Sequence, residues 1–506
     1  MSQDPMDRYE VVIGLEVHTH LKTESKLFSP APVRYGDAPN HDVHPIDLGM
    51  PGVLPVLNEK VIGLAIRLGL ATHSTVNTRS VFSRKNYFYP DLPKGYQISQ
   101  YEEPIVGHGW LDVDVPTQVN ARSKKEKSET HVKRIGITRA HLEEDAGKSM
   151  HDHALAGGEG TQIDLNRAGV PLLEIVSEPD MRSALEAVAY LRSLRSILRY
   201  IEVSDADMEK GQFRCDANIS LREHGATEFG TRTEIKNLNS FSSIEGAIGA
   251  EIVRQAEILD DGGQVVQATM LYDVDRGRTR VMRFKENADD YRYFDDPDLI
   301  PLRVEEELIE QIRSELPELP EQKRARFKTE YGLARAEVEV LVGTRAMADF
   351  FESTASACNS ARSAANWIAR DLRKEVNERG VEISEVSISP EALAGLIRLV
   401  EEGRLTTKNA KDLLPELVDQ GGDPEALMLE RGLEAVSDAG LIDALVDEVM
   451  AAQGEAVELV RAGDDKPLNF LMGKVMKASQ GKANPAEVRG RLIEKIRGAS
   501  AGQIDS

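Results

Sequence analysis

Cysteine is almost missing from this chain of 506 residues, with Cys215 and Cys358 the two that occur. Two thiols cannot build a disulfide framework or a four-cysteine zinc site. Aromatic residues make up 5% of the sequence. No uninterrupted apolar stretch approaches the roughly 20 residues of a membrane span, so no membrane partner is expected. Met1 to Arg8 carries acids and no apolar core, which is neither a signal nor a transit peptide. A cytoplasmic location is the expectation. Basic charge is also short: 62 Lys and Arg stand against 85 Asp and Glu, a net −23. That excess of acid argues against non-specific nucleic-acid binding by the whole chain, and salt adaptation or solubility is the favoured reading of it. The deficit is uneven, however. Lys466 to Arg497 holds eight Lys/Arg and two Glu, a local +6 that leaves about −29 elsewhere.

What is present suggests an α+β protein of more than one domain. Up to about Leu302, Pro and Gly punctuate short period-2 runs. In Arg214 to Arg222, Cys215, Ala217, Ile219 and Leu221 form one face, while Arg214, Asp216, Asn218, Ser220 and Arg222 form the other. Arg232, Glu234 and Lys236 make a second polar row. Helical spacing is predicted over Ser183 to Tyr200 and about Ser242 to Asp260. After Leu316-Pro317-Glu318-Leu319-Pro320 helical periodicity takes over, and Gln420 to Pro424 marks a junction. The expected domains are 1–300, an all-helical 301–423, and a small helical tail, 424–500. Its last apolar face (Leu468, Leu471, Met472, Val475, Met476) runs beside Lys474 and Lys477. Arg122 to Lys133 reads as a solvated hairpin loop.

Two segments concentrate acid and imidazole. In the apolar run Val11 to Leu21, Glu16, His18 and His20 take alternate positions, so on a strand they share one face while Leu15, Val17 and Leu21 face a core. The second is His141-Leu142-Glu143-Glu144-Asp145-Ala146-Gly147-Lys148-Ser149. Its end resembles a phosphate-binding loop, but the glycine required five residues before Gly147 is Leu142. The acids are better read as a shell for Mg2+ or Mn2+, which prefer oxygen ligands completed by substrate phosphates. Candidates are Glu16, His18, Glu143, Glu144, Glu209, Asp216 and Glu234, too many for one ion. Any one of them alone is more often a solvated or salt-bridged acid. Alongside Arg84, Lys85, Lys148, Arg214, Arg232 and Lys236, they suit a metal-bound triphosphate. His20 and His141 individually read as structural. The stretch Arg84 to Gln97, with Tyr87 and Tyr89, suits stacking on a nucleotide or an RNA 3′ end; a proline-stiffened loop anchored by tyrosines is the alternative.

Longer motifs now carry a resemblance. Val12 to His18, Arg84 to Asp91, Tyr96 to Gln100, His141 to Ser149, Asp164 to Arg167, Leu173 to Asp180, Arg214 to Asn218, Lys236 to Phe241, Asp289 to Phe294 and Gly473 to Ser479 follow in order over almost the whole chain. Together they resemble the B subunit of the bacterial and archaeal glutamyl/aspartyl-tRNA amidotransferases. The resemblance implies a catalytic cradle with an antiparallel sheet, related to the glutamine synthetase/guanidino kinase fold, then a helical domain and a tail that meets tRNA. It implies ATP and Mg2+ as cofactors, an amidase-type A subunit and a small C subunit as partners, and misacylated tRNA as substrate. ATP would phosphorylate the side-chain carboxylate of Glu or Asp on tRNA-Gln or tRNA-Asn, and ammonia from the A subunit would displace phosphate.

On that reading the catalytic set is Glu16, His18, Glu143, Glu144, Lys148 and Arg214. Arg84, Lys85, Tyr87, Tyr89, Arg232 and Lys236 would bind the nucleotide, and His18, Glu16, Glu144, Glu209, Asp216 and Glu234 the metal. Lys474, Lys477 and Lys482 would meet the tRNA backbone. Several relatives carry a four-cysteine zinc knuckle where this chain has Ser29, Ala31, His44 and Asp47, so no structural zinc is expected. The alternative is a non-catalytic tRNA-binding adaptor that keeps the fold, which would have no reason to keep charges converging on one site. An isolated glutaminase fails for lack of an amidase signature.

Overall fold

Strand β1, Tyr9–His20, organises the first half of the molecule. Its odd positions Val11, Ile13, Leu15 and Val17 are buried, and each such side chain contributes about 1.5–3 kcal/mol of apolar burial. The computed structural model describes residues 5–117, 130–150, 160–284, 288–435, 439–479 and 482–498. They fall into two compact units, Met1–Leu319 and Pro320–Ser506.

In the first unit, β1 belongs to an eleven-stranded sheet with β2 (Phe82–Asn86), β3 (Tyr96–Gln100), β4 (Gly109–Pro116), β5 (Thr130–Glu144), β6 (Pro171–Ser177), β7 (Phe213–Glu223), β8 (Thr233–Leu238), β9 (Ala268–Asp273), β10 (Arg278–Phe284) and β11 (Phe294–Asp295). Their order is β10-β9-β8-β7-β1-β6-β5-β3-β2-β11, with β4 also paired to β5. Every pairing is antiparallel except β8 with β9. A parallel pair needs a crossover, and helix α3, Phe241–Asp260, supplies it.

Helix α1 is Lys60–Ala71 and helix α2 is Ala184–Tyr200, so the helix predicted over Ser183 to Tyr200 is found with Ser183 as its N-cap. The Ser183 hydroxyl accepts from the Glu186 N–H at 3.2 Å, meeting one of the helix's unpaired donors. Ser240 does the same for α3. Helices α2 and α3 pack on each other and on β4 and β7. Their apolar residues merge with Ile13, Leu15, Val17, Ile175, Ala217 and Ile219 into one core. The opposite side of β1 is thereby left for polar groups.

Helix α4, Glu306–Glu315, packs on α1, so this unit continues past residue 300. Of the Arg122 to Lys133 stretch, 122–129 lie outside the described residues; from Thr130 it is strand, paired with Pro116.

The second unit is built from helices. Its C-terminal part has its own core, in which Leu468, Leu471 and Val475 of Lys466–Ala478 meet Val488, Leu492 and Ile496 of Pro485–Gly498. No described helix of the chain is long and apolar enough to cross a membrane.

Candidate functional site

Side chains of directly opposed strand residues share a face, and the register around β1 stacks acids and imidazoles in rows. Glu16 stands opposite Asp216 of β7, and His18 opposite Glu174 of β6. Glu174 in turn stands opposite His141 of β5. The result is two groups of metal-capable atoms on the polar side of the sheet: His18 with Glu143 and Glu174, and Glu16 with Asp216 and Glu234. Within each, the donor atoms lie within 4.8 Å of one another.

In the first group, His18 Nε2 is 3.3 Å from Glu174 Oε2, and His141 Nε2 is 3.5 Å from the same oxygen. Ser99 Oγ donates to Glu143 at 3.1 Å. Burial disfavours a charged His18, but the Glu174 carboxylate outweighs it and lifts the imidazole to about 9. Burial likewise opposes ionisation of Glu174, yet His141, His18 and Lys85 hold it well below the usual carboxylate range. Lys85 stays protonated despite burial because Glu143 and Glu174 face it.

In the second group, Lys236 Nζ donates to Asp216 and lies 3.3 Å from Glu234. Asn218 donates to Glu16 at 2.9 Å. Burial, with Glu174 and Glu234 nearby, pushes the Glu16 carboxyl upward. Three carboxylates with one lysine form a site short of positive charge, which a divalent cation would balance. Asn218 Oδ1 is buried with no hydrogen-bond partner among the described residues, an additional oxygen donor beside Glu16. The donor chemistry, oxygen-rich with one imidazole, fits Mg2+ or Mn2+.

Other expected site residues stand elsewhere. Glu144 projects away from Glu143, as successive strand residues do. It forms an ion pair with Lys94 and accepts from the Ile98 N–H at 2.9 Å, so it joins neither metal-capable group. Glu209 is exposed in the turn before β7, where Asp207 caps its N–H at 2.9 Å. Arg214 leans from β7 to Asp145 at 2.9 Å. Asp145 also meets His20 at 2.8 Å and Arg167 at 3.5 Å; burial opposes its ionisation, but Arg214 and Arg167 hold its pKa far down. Burial lowers His20, whose ring braces Asp145.

Lys148 is exposed on a short ribbon, Lys148–Met150 paired with Gln162–Asp164. Beside it, Gly147 donates its N–H to the Asp91 carbonyl at 2.8 Å, and a Cβ there would come within 3.0 Å of the Asp91 and Asp164 carbonyls. Gly147 thus serves chain packing, in keeping with the missing glycine at Leu142.

Arg84 is engaged with Asp296 at 2.9 Å and Asp298 at 2.8 Å, over the Tyr96 ring. Lys85, on the polar side, lies over Tyr291 at 5.0 Å. Tyr87 is half-buried, and Tyr89 and Arg232 are exposed. In the helical unit, Lys474 and Lys477 are exposed and Lys482 is half-buried. A third metal-capable group, Asp37, His41 and Asp42, lies on a loop whose Asp37 and His41 are exposed.

Glu174 and Asp145 escaped the sequence reading as site residues. Glu174 did leave a signal: it is the lone acid in the apolar run Leu172-Leu173-Glu174-Ile175-Val176, and a charge there must have buried partners.

Comparison with known families gives two matches: residues 11–310 match the GatB/GatE catalytic domain and residues 349–496 the GatB domain. Among relatives is the aspartyl/glutamyl-tRNA(Asn/Gln) amidotransferase B subunit of Geobacter sulfurreducens, 51% identical over 490 residues, which cover 97% of this chain and all of the relative. The same-named protein of Thioalkalivibrio sulfidiphilus is 51% identical over 491 residues (96% and 99% covered), and that of Halorhodospira halophila 50% over 495 (97% and 100%). The class is therefore that of the amidotransferases, carbon–nitrogen ligases. Within it, the chain belongs to the GatB/GatE family.

Proposed function

We propose that this chain is the kinase–transamidase subunit of a tRNA-dependent amidotransferase. In this reading the γ-phosphoryl group of ATP passes to the side-chain carboxylate of Glu or Asp misacylated on tRNA-Gln or tRNA-Asn, releasing ADP. Ammonia then attacks the activated carbonyl carbon, phosphate leaves, and the amide forms. The observation that carries the reading is the pair of metal-capable groups on one side of the sheet, one of two acids with an imidazole and one of three acids, in a chain half identical to amidotransferase B subunits.

His18, Glu143 and Glu174 would hold one divalent cation, and Glu16, Asp216 and Glu234 another. When bound, Mg2+ or Mn2+ supplies charge neutralisation between two anionic reactants and orients them. A carboxylate is a poor acceptor because it is anionic and solvated, so placement of charge is most of what the protein must provide. Lys85 and Lys236 flank the two groups as fixed cations, suited to phosphate oxygens. His141 and Asn218 orient Glu174 and Glu16, and Asp145 fixes Arg214 at the rim. An acyl phosphate hydrolyses in water, which favours an enclosed reaction space. The sheet-bearing unit, which runs past residue 300 to Leu319, then forms the cradle, related to the glutamine synthetase/guanidino kinase fold, and the helices from Pro320 up to 423 form a helical domain. The tail, 424–500, meets tRNA through Lys474, Lys477 and Lys482, supplying basic surface that the acidic body lacks. An amidase-type A subunit delivers ammonia, a small C subunit joins the pair, and the complex works in the cytoplasm with the translation machinery.

The test is reconstitution with the partner subunits. Purified complex should convert misacylated tRNA to the amide only with ATP and Mg2+. Asp216→Asn should remove that conversion and leave glutamine hydrolysis by the partner intact. Full conversion by this variant, or conversion without ATP, would refute the assignment.

A further inference from the structure

At the far end of the same sheet from Glu16, a cleft of about 530 Å³ opens between β2, β3 and β11, lined by Ser83, Tyr101, Glu102, Arg292, Tyr293 and Asp295 among others. Its place in the register ties it to the reaction centre. Glu143, Ser99, Ser83 and Asp295 stand opposite one another on four successive strands, β5, β3, β2 and β11, and so share one face. Tyr101, directly after β3, and Tyr293, directly before β11, line the cleft together with Ser83 and Asp295. Their rings stack at 4.1 Å and 7°. Tyr293 continues edge-on to Tyr291 and Tyr291 to Tyr87, so aromatic surface runs from the cleft toward Lys85.

The cleft is preorganised. Asn86 donates its side-chain amide to the carbonyls of Tyr291 at 3.2 Å and Arg292 at 2.8 Å. Arg292 has φ of 45°, a left-handed conformation unusual for a residue with a side chain. The turn thus presents the exposed guanidinium beside the stacked rings.

Resting on the function proposed above, we infer that this cleft holds the terminal aminoacyl-nucleoside of the RNA substrate. The base would lie against the Tyr101–Tyr293 pair, since every base has a π-face and aromatic stacking is the usual device for an unpaired nucleotide. Arg292 would meet its phosphate. Glu102 and Asp295 offer acceptors for the donors of such a ligand: the α-ammonium of the aminoacyl ester, the free ribose hydroxyl and the base amino group. Reach favours this end of the sheet. Neighbouring strands are about 4.8 Å apart, so a nucleoside over Ser83 sits roughly two strand spacings from Glu143, a gap that an ester-linked acidic side chain spans. Adenine of ATP shares the stacking chemistry, but a triphosphate in this cleft would meet Glu102 and Asp295 with one arginine against them.

The test uses the reconstituted complex and two forms of misacylation-competent tRNA, one complete and one lacking its terminal nucleoside. Wild type should bind the complete form about tenfold more tightly, the usual size of one stacked base. Tyr293→Ala should erase most of that difference and Tyr293→Phe should keep it, with KM for ATP unchanged in both; Arg292→Ala, at an exposed position, should weaken binding of the complete form without disturbing the fold. Equal binding of the two tRNA forms by wild type, in a complex that still amidates intact misacylated tRNA, would overturn this inference and leave the proposed function standing. A raised KM for ATP in Tyr293→Ala with the tRNA difference retained would also overturn it, assigning the cleft to the nucleotide. Failure of wild type to amidate any misacylated tRNA would instead remove the function on which the inference rests.

Discussion

Glu174 sits between two imidazoles and near a lysine, and its carboxylate is the hinge of the first metal-capable group. Glu174→Gln keeps the shape and removes the charge. Its expected effect is a fall of about a hundredfold or more in amidation rate, of the size seen when metal-site partners or charge-stabilising groups are lost, with glutamine hydrolysis unchanged; single-turnover assays of acyl transfer would check it. Glu144→Gln makes the contrasting case. Because Glu144 holds Lys94 and the Ile98 N–H, its loss should lower thermal stability, and an unchanged melting temperature with lost activity would show that it reaches substrate after all. Away from the site, Glu10 is clamped by Arg182 and Arg222, both at 2.7 Å. Hydrogen bonds from Arg222, then Arg182, lower its pKa from 4.5 to about 2. The stabilisation is therefore complete above pH 4.5 and disappears as pH falls toward 2. All three side chains are partly exposed, so solvent screening keeps the contribution small. Unfolding curves of Glu10→Gln should lie below wild type at pH 7 and approach it near pH 3. The sequence made Glu16 and His18 legible because alternation marks a strand face. It hid which carboxylate completes each group, since Glu174, Asp216 and Glu234 meet β1 only through pairing between distant strands.

At the scale of elements, helix limits were the clearest part of the sequence. Helical spacing located both α2 and α3, the second beginning at Phe241 where about Ser242 was expected, and Ser183→Ala should cost about 1 kcal/mol, readable by chemical denaturation. Loops were harder. The sequence marked Ser29, Ala31, His44 and Asp47 as places without thiolates, but nothing local announced what the segment does instead. In the structure Lys26, fully buried, donates to Asp47 at 3.0 Å, and Asp47 also accepts from the His44 N–H at 2.9 Å. Burial lowers the lysine's pKa while Asp47 opposes the shift. Breaking such a pair leaves one charge buried alone and costs about 3–5 kcal/mol, whereas replacing both partners by apolar groups is far milder. Asp47→Asn should therefore destabilise more than the double change Lys26→Met/Asp47→Leu. Calorimetry on the three proteins would decide it.

At the scale of the whole molecule, charge is divided as the sequence indicated: an acidic body and a basic C-terminal stretch. Removing residues after Asp423 should weaken tRNA binding and flatten its dependence on salt, because fewer counterions are released when fewer phosphates are neutralised. The far-ultraviolet circular dichroism of the sheet-bearing unit should persist. Retention of full affinity and an unchanged salt slope would locate the RNA contact elsewhere. The two-part organisation was readable from the change of texture near Pro320, where strand periodicity gives way to helical spacing. The strand order was not, because antiparallel partners such as β1 and β7 are some 200 residues apart and no local pattern records which strands meet.

That strand order has a consequence for how the protein tolerates change. Both metal-capable groups exist because β1 is in one particular register with β6 and β7; shifting it by a single residue would turn Glu16 and His18 into the helix-covered core and bring Leu15 and Val17 out. A one-residue insertion within β1 is thus a complete loss of function by geometry alone, whatever residue is inserted. Length variation in a lineage of such chains should therefore collect in hairpin connections, while the spacing from Tyr9 to His20 stays fixed to the residue.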